Sequence, residues 1–240
     1  MNNDDGTKTT LPPDVLRIAR RSLVLSAVIC RSSSDHDPDN PDAQDLWNRL
    51  QEWVGSQDID GEMESGERDL VNAQLGTLDE KDIIAATWRS EGLALLAWSL
   101  NRFSFPQFDQ QVDAYEVTDS LEFLSEDAFE LVSSSHLWPV TELSACREFY
   151  YALHCRLREF ARLRTPRDIG RWIEAEWLDP LGIPTVLGST GNLCIDDLPL
   201  FDVSDDAFNT CESIVYDRHR AAIWLLGDEG PAYSDFPVDT

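Results

Sequence analysis

Apolar residues recur along most of this chain at the three- and four-residue spacing of a helix, and seldom alternate in the two-residue manner of a strand. Val15, Leu16, Ala19, Leu23, Ala27 and Ile29 follow Pro12-Pro13, a pair suited to a first helical turn, and predict a helix to about Arg31. An acidic, proline-containing loop over 32–42 comes next. Within it Asn40-Pro41 supplies an N-cap and a first-turn proline for a helix whose buried face carries Ala43, Leu46, Trp47, Leu50, Trp53 and Val54. A short helix near Glu67–Leu75 closes at Gly76. The string Thr77-Leu78-Asp79-Glu80 reads as a capping box that opens a long helix to about Leu100. The second half of that helix, Gly92 to Trp98, is apolar on nearly all sides, as a central helix enclosed by others would be.

Phe103, Phe105 and Pro106 predict an irregular connection, followed by a helix near Glu126–Ser134. Pro139 and Thr141 precede another long helix, with Leu143, Phe149, Tyr150, Leu153, Leu157 and Phe160 as its buried stripe. Thr165-Pro166 starts a further one carrying Ile169, Trp172, Ile173 and Trp177. Asn192–Ile195 and Leu198–Phe201 flank Asp196-Asp197 and read as a two-stranded hairpin. Ser204 caps a last helix with Phe208, Cys211, Val215, Ala222 and Leu226 inward and Gly227 at its end. The expected fold is mainly α, a single helical domain of about seven to eight helices over 12–227 with a small β-hairpin near the C-terminal third. Residues 1–11 form a flexible acidic tail in this reading, and 228–240 an acidic C-terminal tail that either drapes over the body or frays.

Composition narrows the function classes. The chain has 240 residues, 42% of them hydrophobic, and eight tryptophans, which is too apolar for a disordered protein. Forty-five acidic residues against nineteen basic ones give a formal charge of -26, so nucleic acid and anionic membranes would be repelled. Seven of the nineteen basic residues lie between Arg147 and Arg171, where any anion site would be expected. Lysine occurs only at Lys8 and Lys81, and aspartate outnumbers glutamate, a bias that suits high ionic strength. The longest apolar run, near Leu23 to Cys30, is far short of the roughly 20 residues that span a bilayer. With a polar, acidic start and five scattered cysteines (Cys30, Cys146, Cys155, Cys194 and Cys211), the chain reads as cytoplasmic with reduced thiols.

Few residues carry chemistry. Asp35-His36-Asp37-Pro38-Asp39-Asn40 begins like a calcium loop, but Asn40 and Leu46 stand where such a loop needs Gly and a bidentate Glu. Gly188-Ser189-Thr190-Gly191 lacks the lysine of a phosphate cradle. No metal and no cofactor is expected. The histidines placed beside apolar stripes are His154, with Tyr151 and Arg158 around it, and His219, with Val215 and Ala222. Arg89 and Glu91 interrupt an apolar helix, and Asp217 and Arg218 pose the same question on the last one, because buried charges need partners. If Arg89, Glu91, Tyr151, His154, Arg158, Asp217, Arg218 and His219 face inward, they form a polar network between three helices. That network either fixes helix register or binds a small anion.

Three strings carry a family resemblance: Trp88-Arg89-Ser90-Glu91 followed by Leu95-Leu96-Ala97-Trp98; Tyr151-Ala152-Leu153-His154 with Arg158; and Asp217-Arg218-His219 followed by Ala221 and Trp224-Leu225. With the terminal Val238-Asp239-Thr240 they resemble the bacterial family called domain of unknown function 4272. The chain departs from that family's pattern at Ala152, Cys155 and Asp217, where the pattern has Arg, Trp and Glu. The resemblance implies a mainly α-helical soluble protein and brings no activity, cofactor or catalytic residue with it.

Three functional readings are consistent with the sequence. One is a non-enzymatic interaction module whose acidic face engages a basic partner protein, an immunity-type protein that neutralises a toxin being one form. The alternative is an enzyme or small-anion sensor built on the histidine and arginine network, with histidine as acid-base group and arginine as anion clamp. Convergence of those side chains on one closed pocket would favour the second. The third, a structural subunit of a larger assembly, needs an exposed apolar patch.

Overall fold

The structure, a computed structural model, describes residues 13–163, 193–227 and 232–235. The first helix, α1 (Val15–Ser34), begins one residue after Asp14, whose carboxylate accepts from the Arg17 backbone N–H at 2.8 Å. It runs three residues past the expected end at Arg31. The hydroxyls of Ser32 and Ser33 donate back to the Ile29 carbonyl and that of Ser34 to the Cys30 carbonyl, so the serines satisfy their hydroxyls within the helix, whose Ser32 and Ser33 carbonyls accept the Asp35 and His36 backbone N–H groups. Ser22 and Ser26 bond back in the same way, which lets a helix with polar residues be buried along most of its length.

Asn40 caps α2 (Pro41–Ser56), accepting from Asp42 N–H at 3.0 Å, and turns Leu50 and Trp53 inward. In α3 (Ser65–Asn72) the Glu67 carboxylate accepts the Glu64 backbone N–H at 3.1 Å, a reciprocal start that sequence reading places elsewhere. Gly76 sits at φ +79° with Pro38 pressed against it, where a Cβ would come within 3.2 Å of the proline Cβ. The cap of α4 (Glu80–Ser99) is Asp79, which accepts from Asp82 N–H at 2.8 Å. The expected Thr77–Glu80 box does not form. The Thr77 hydroxyl donates to the Gln74 carbonyl at 2.6 Å, because the turn at Gly76 occupies it before the helix begins.

The helix α5 (Ala114–Ser120) falls in a stretch expected to be irregular; it has seven residues and one fully buried side chain, Val117, too little for a periodic signal. It is followed by α6 (Ala128–Ser133) and α7 (Val140–Leu163), the latter carrying the expected stripe, all of it buried. The hairpin pairs β1 (Cys194–Ile195) with β2 (Leu198–Pro199) in antiparallel register. Asp196 and Asp197 both take positive φ, 50° and 62°, as the tight two-residue turn requires. Ser204 caps α8 (Asp205–Leu226), accepting from Ala207 N–H. The helix expected after Thr165-Pro166 lies outside the described residues.

The main packing joins α1 to α4, α4 to α8 and α8 to α7, a row of four long helices with the shorter elements against its flanks. Leu93 to Ala97 on α4 are fully buried, because neighbours cover the helix on opposite sides. Within the acidic C-terminal segment, residues 232–235 drape over the body. Tyr233 is buried against Trp224, beneath the Arg21 guanidinium, with its hydroxyl over Gly92. A Cβ at Gly92 would fall well inside contact distance of that hydroxyl, so glycine is what admits the tyrosine. No helix among the described residues is long and apolar enough to cross a membrane.

Candidate functional site

Adjacent positions on α8 point to different neighbours. Arg218 faces α4 and is fully buried, donating to Glu91 through Nε at 3.0 Å and through Nη2 at 2.7 Å. Its remaining donors reach the carbonyls of Gln107 at 2.6 Å and Gln110 at 2.8 Å, with the Tyr150 hydroxyl and the Pro106 carbonyl at 3.5 Å. Glu91 also accepts the Val112 N–H at 3.1 Å. Burial raises the Glu91 carboxyl and Arg218 opposes that rise; the guanidinium is held above its ordinary value by Tyr150 and Glu91 despite its own burial. The result is an ion pair whose hydrogen-bonding capacity is filled by protein groups, and which ties the 106–112 connection to α4 and α8.

His219 faces α7, where its Nδ1 lies 3.0 Å from Nδ1 of His154, both rings being almost wholly buried. That bond needs one ring to donate from Nδ1–H and the other to accept through an unprotonated Nδ1, and burial, which lowers both rings, favours the neutral form of each. Desolvation, followed by the Arg158 charge, lowers His154 to about 4. Desolvation, followed by His154 and Arg147, lowers His219 to about 3. Each ring is flanked by a tyrosine from the opposite helix: Tyr216 meets His154 edge-on with centroids 5.7 Å apart, and Tyr151 lies 5.8 Å from His219. Both tyrosines are partly exposed, so the pair sits just beneath the surface.

The other expected site residues lie apart from this pair. Arg89 donates to Glu67 at 2.5 Å, and Glu67 also receives the fully buried Arg21. Asp217 faces Arg220 at 3.5 Å, and burial raises its carboxyl to about 6 against that cation's pull. Arg158 is exposed one turn beyond His154. The other seven of the eight expected residues therefore divide into an Arg218–Glu91 pair, a His154–His219 pair under Tyr151 and Tyr216, an Arg21–Glu67–Arg89 cluster and an Asp217–Arg220 contact on which the Arg89 and Glu91 charges also act. They do not converge on one point. Among the described residues no group of three or more His, Cys, Asp or Glu side chains is placed to hold a metal ion.

Sequence reading gives Arg21, Arg31 and Glu67 no site role and weighs Asp35 only as the start of an acidic loop, yet all four are buried. Arg31 donates to Asp35 at 2.5 Å, and Asp35 accepts the N–H groups of Gly76 at 2.8 Å and Leu78 at 2.9 Å. Burial opposes ionisation of Asp35, but Arg31 and these N–H groups hold its carboxyl below the ordinary value. A signal for them exists: Arg21 and Arg31 fall at i+3 from Ile18 and Val28 on the apolar face of α1, the same kind of placement that singles out His219.

The family model for Domain of unknown function (DUF4272) matches residues 6–169, and the chain belongs to that family. The match ends before α8, so Arg218 and His219 lie outside it while their partners Glu91 and His154 lie within, and Asp217 and Arg220 both lie outside. No curated protein and no solved structure matches the chain.

Proposed function

We propose that this member of the family is a non-enzymatic interaction protein whose acidic exterior engages a basic partner protein, with an immunity-type neutralisation of a toxin as one form. The observation that carries this reading is the excess of carboxylate left at the surface. Arg21, Arg31 and Arg218 are fully buried against the buried Glu67, Asp35 and Glu91, so these pairs cancel and the formal charge of -26 is carried by the groups outside them. Asp35 stitches the loop after α1 to the turn before α4, with Pro38 against Gly76, and this brings the loop that carries the exposed Asp37 and Asp39 to the turn that leads into the exposed Asp79.

The enzyme or small-anion reading draws less support. The Arg218 donors are already engaged by Glu91 and backbone carbonyls, which leaves no fork for an anion, and the two histidines face each other. Complementary charge accelerates encounter and makes it salt-sensitive. Affinity capture with the intact protein in dilute buffer, followed by reconstitution with the purified binder, tests the proposal. A basic protein whose association rate falls at least about tenfold in the Asp37→Lys, Asp79→Lys, Asp82→Lys variant supports it. An acidic binder, or a rate indifferent to salt and to that variant, overturns it.

A further inference from the structure

A groove of about 180 Å³ opens between the end of α1, α2 and α5, on the flank away from the histidine pair. Its walls are chiefly apolar: Ile29, Leu46, Phe123 and Leu124 line it, Tyr115 stands at its mouth, and Asp119 supplies a carboxylate. Tyr115 is 78% exposed, the most exposed large hydrophobic side chain among the described residues. An exposed aromatic at the mouth of an apolar recess is characteristic of a surface that meets another molecule. The polar groups in the wall make few outward demands. The Ser33 and Thr118 hydroxyls already donate to the Ile29 and Ala114 carbonyls, and burial pushes the Cys30 thiol up to about 12, so it stays neutral.

The groove is held open by its own backbone. Glu122 and Leu124 both occupy the left-handed region, at φ 53° and 67°, which is costly for a branched residue such as leucine. That conformation presents both Phe123 and Leu124 to the groove, and Phe123 is braced edge-on by Trp53 at 4.7 Å. Trp53 is in turn fixed by its Nε1–H bond to the Ser125 carbonyl at 2.7 Å.

Size and charge identify the occupant. A cavity of roughly 150 Å³ is enough for a benzene-sized group, so this one has room for a single large side chain. Asp119 lies in the lining, and the exposed Asp42, Asp45, Glu116 and Glu122 stand on the elements that form the rim. The opposing cations are Arg49 on α2 and the buried Arg31, whose charges act on Cys30, so carboxylates outnumber them around the opening. We infer that this groove seats one bulky apolar side chain carried on a lysine- and arginine-rich segment of the partner, the carboxylate rim pairing with the flanking cations. The inference rests on the basic-partner reading above and assigns that partner a recognition element.

Fluorescein-labelled heptapeptides Gly-Lys-Lys-X-Lys-Lys-Gly, titrated with the full chain in dilute buffer and followed by anisotropy, test it. With X as Phe or Leu, binding is expected to be about tenfold or more tighter than with X as Gly. Ser33→Trp, which fills the groove from an exposed position, should erase that advantage and leave the Gly peptide's affinity unchanged. Asp119→Lys should weaken all of the peptides. Circular dichroism verifies that both variants fold. Equal, salt-sensitive binding of the Phe and Gly peptides would overturn the groove and leave the acidic-surface reading standing; failure of every peptide to bind would overturn both. An advantage for Phe that survives Ser33→Trp would place the apolar contact elsewhere. One that survives replacement of the lysines by serine would make the occupant a neutral ligand instead.

Discussion

Arg218 and His219 are consecutive on α8, yet the fold treats them by different rules. Arg218 enters the interior charged and is met by a carboxylate and backbone carbonyls, so its cost of desolvation is offset by groups fixed in place. His219 enters uncharged and meets a second imidazole that is also uncharged. The first arrangement is intolerant of losing a partner. The second tolerates its environment only while both rings stay neutral. A helix buried on two sides can thus hold adjacent ionisable residues under opposite constraints, one by pairing and one by deprotonation.

The contrast is broken most severely by removing one partner of the charged pair. Arg218→Met strands Glu91 in the interior and should cost about 3–5 kcal/mol in urea unfolding, while the Glu91→Leu, Arg218→Met double variant recovers much of the loss. If the single and double variants lose equal stability, Arg218 is held by something other than Glu91.

The histidine pair predicts a pH effect of definite sign. Both folded-state values, about 4 and about 3, lie below the ordinary 6.5, so the unfolded chain takes up protons first. The contribution is complete above about pH 6.5 and is lost as pH falls toward 4 and 3, at up to about 1.4 kcal/mol per pH unit for each ring. Chemical denaturation at a series of pH values should show this slope, and His154→Phe together with His219→Leu should flatten it. Asp217 pulls the other way. Its folded-state value, raised to about 6, means that protonation favours the folded state, a contribution present below 3.8 and lost as pH rises through 6. Asp217→Asn should therefore steepen the loss of stability on acidification between pH 6 and 4. A slope unchanged in that variant would show that Asp217 is not desolvated.

The smallest effect sharpens the rule for charged pairs. Arg20 and Asp58 lie 2.6 Å apart, but the aspartate side chain is 71% exposed. Asp58→Ala should shift stability by less than about 1 kcal/mol, far below Arg218→Met, because water screens what the interior does not.

The long helices and the hairpin are legible because each repeats a local signal many times. The stripe from Leu143 to Phe160 repeats at helical spacing, Asn40-Pro41 and Ser204 cap their helices as expected, and Asp196-Asp197 turns the hairpin. The start of α4 is misread because Thr77 and Asp79 both satisfy the local pattern, and the turn at Gly76 decides between them. The short α5 is misread because a single buried valine leaves no periodicity. At the candidate site, the inward placement of Glu91, His154, Arg218 and His219 is readable from their positions on apolar faces. Their division into separate pairs is not, since pairing depends on which helices become neighbours and at what register.

Sequence alone determined that this chain is helical, acidic and capable of burying a tryptophan-rich core, because propensity, spacing and charge are local or additive properties. Tertiary structure alone decided that Arg218 answers Glu91, that His219 answers His154, that Tyr233 closes over Gly92 and that a groove remains between α1, α2 and α5. Each of these joins residues far apart along the chain, and the geometry of such contacts is set by helix packing, which no short stretch of sequence encodes.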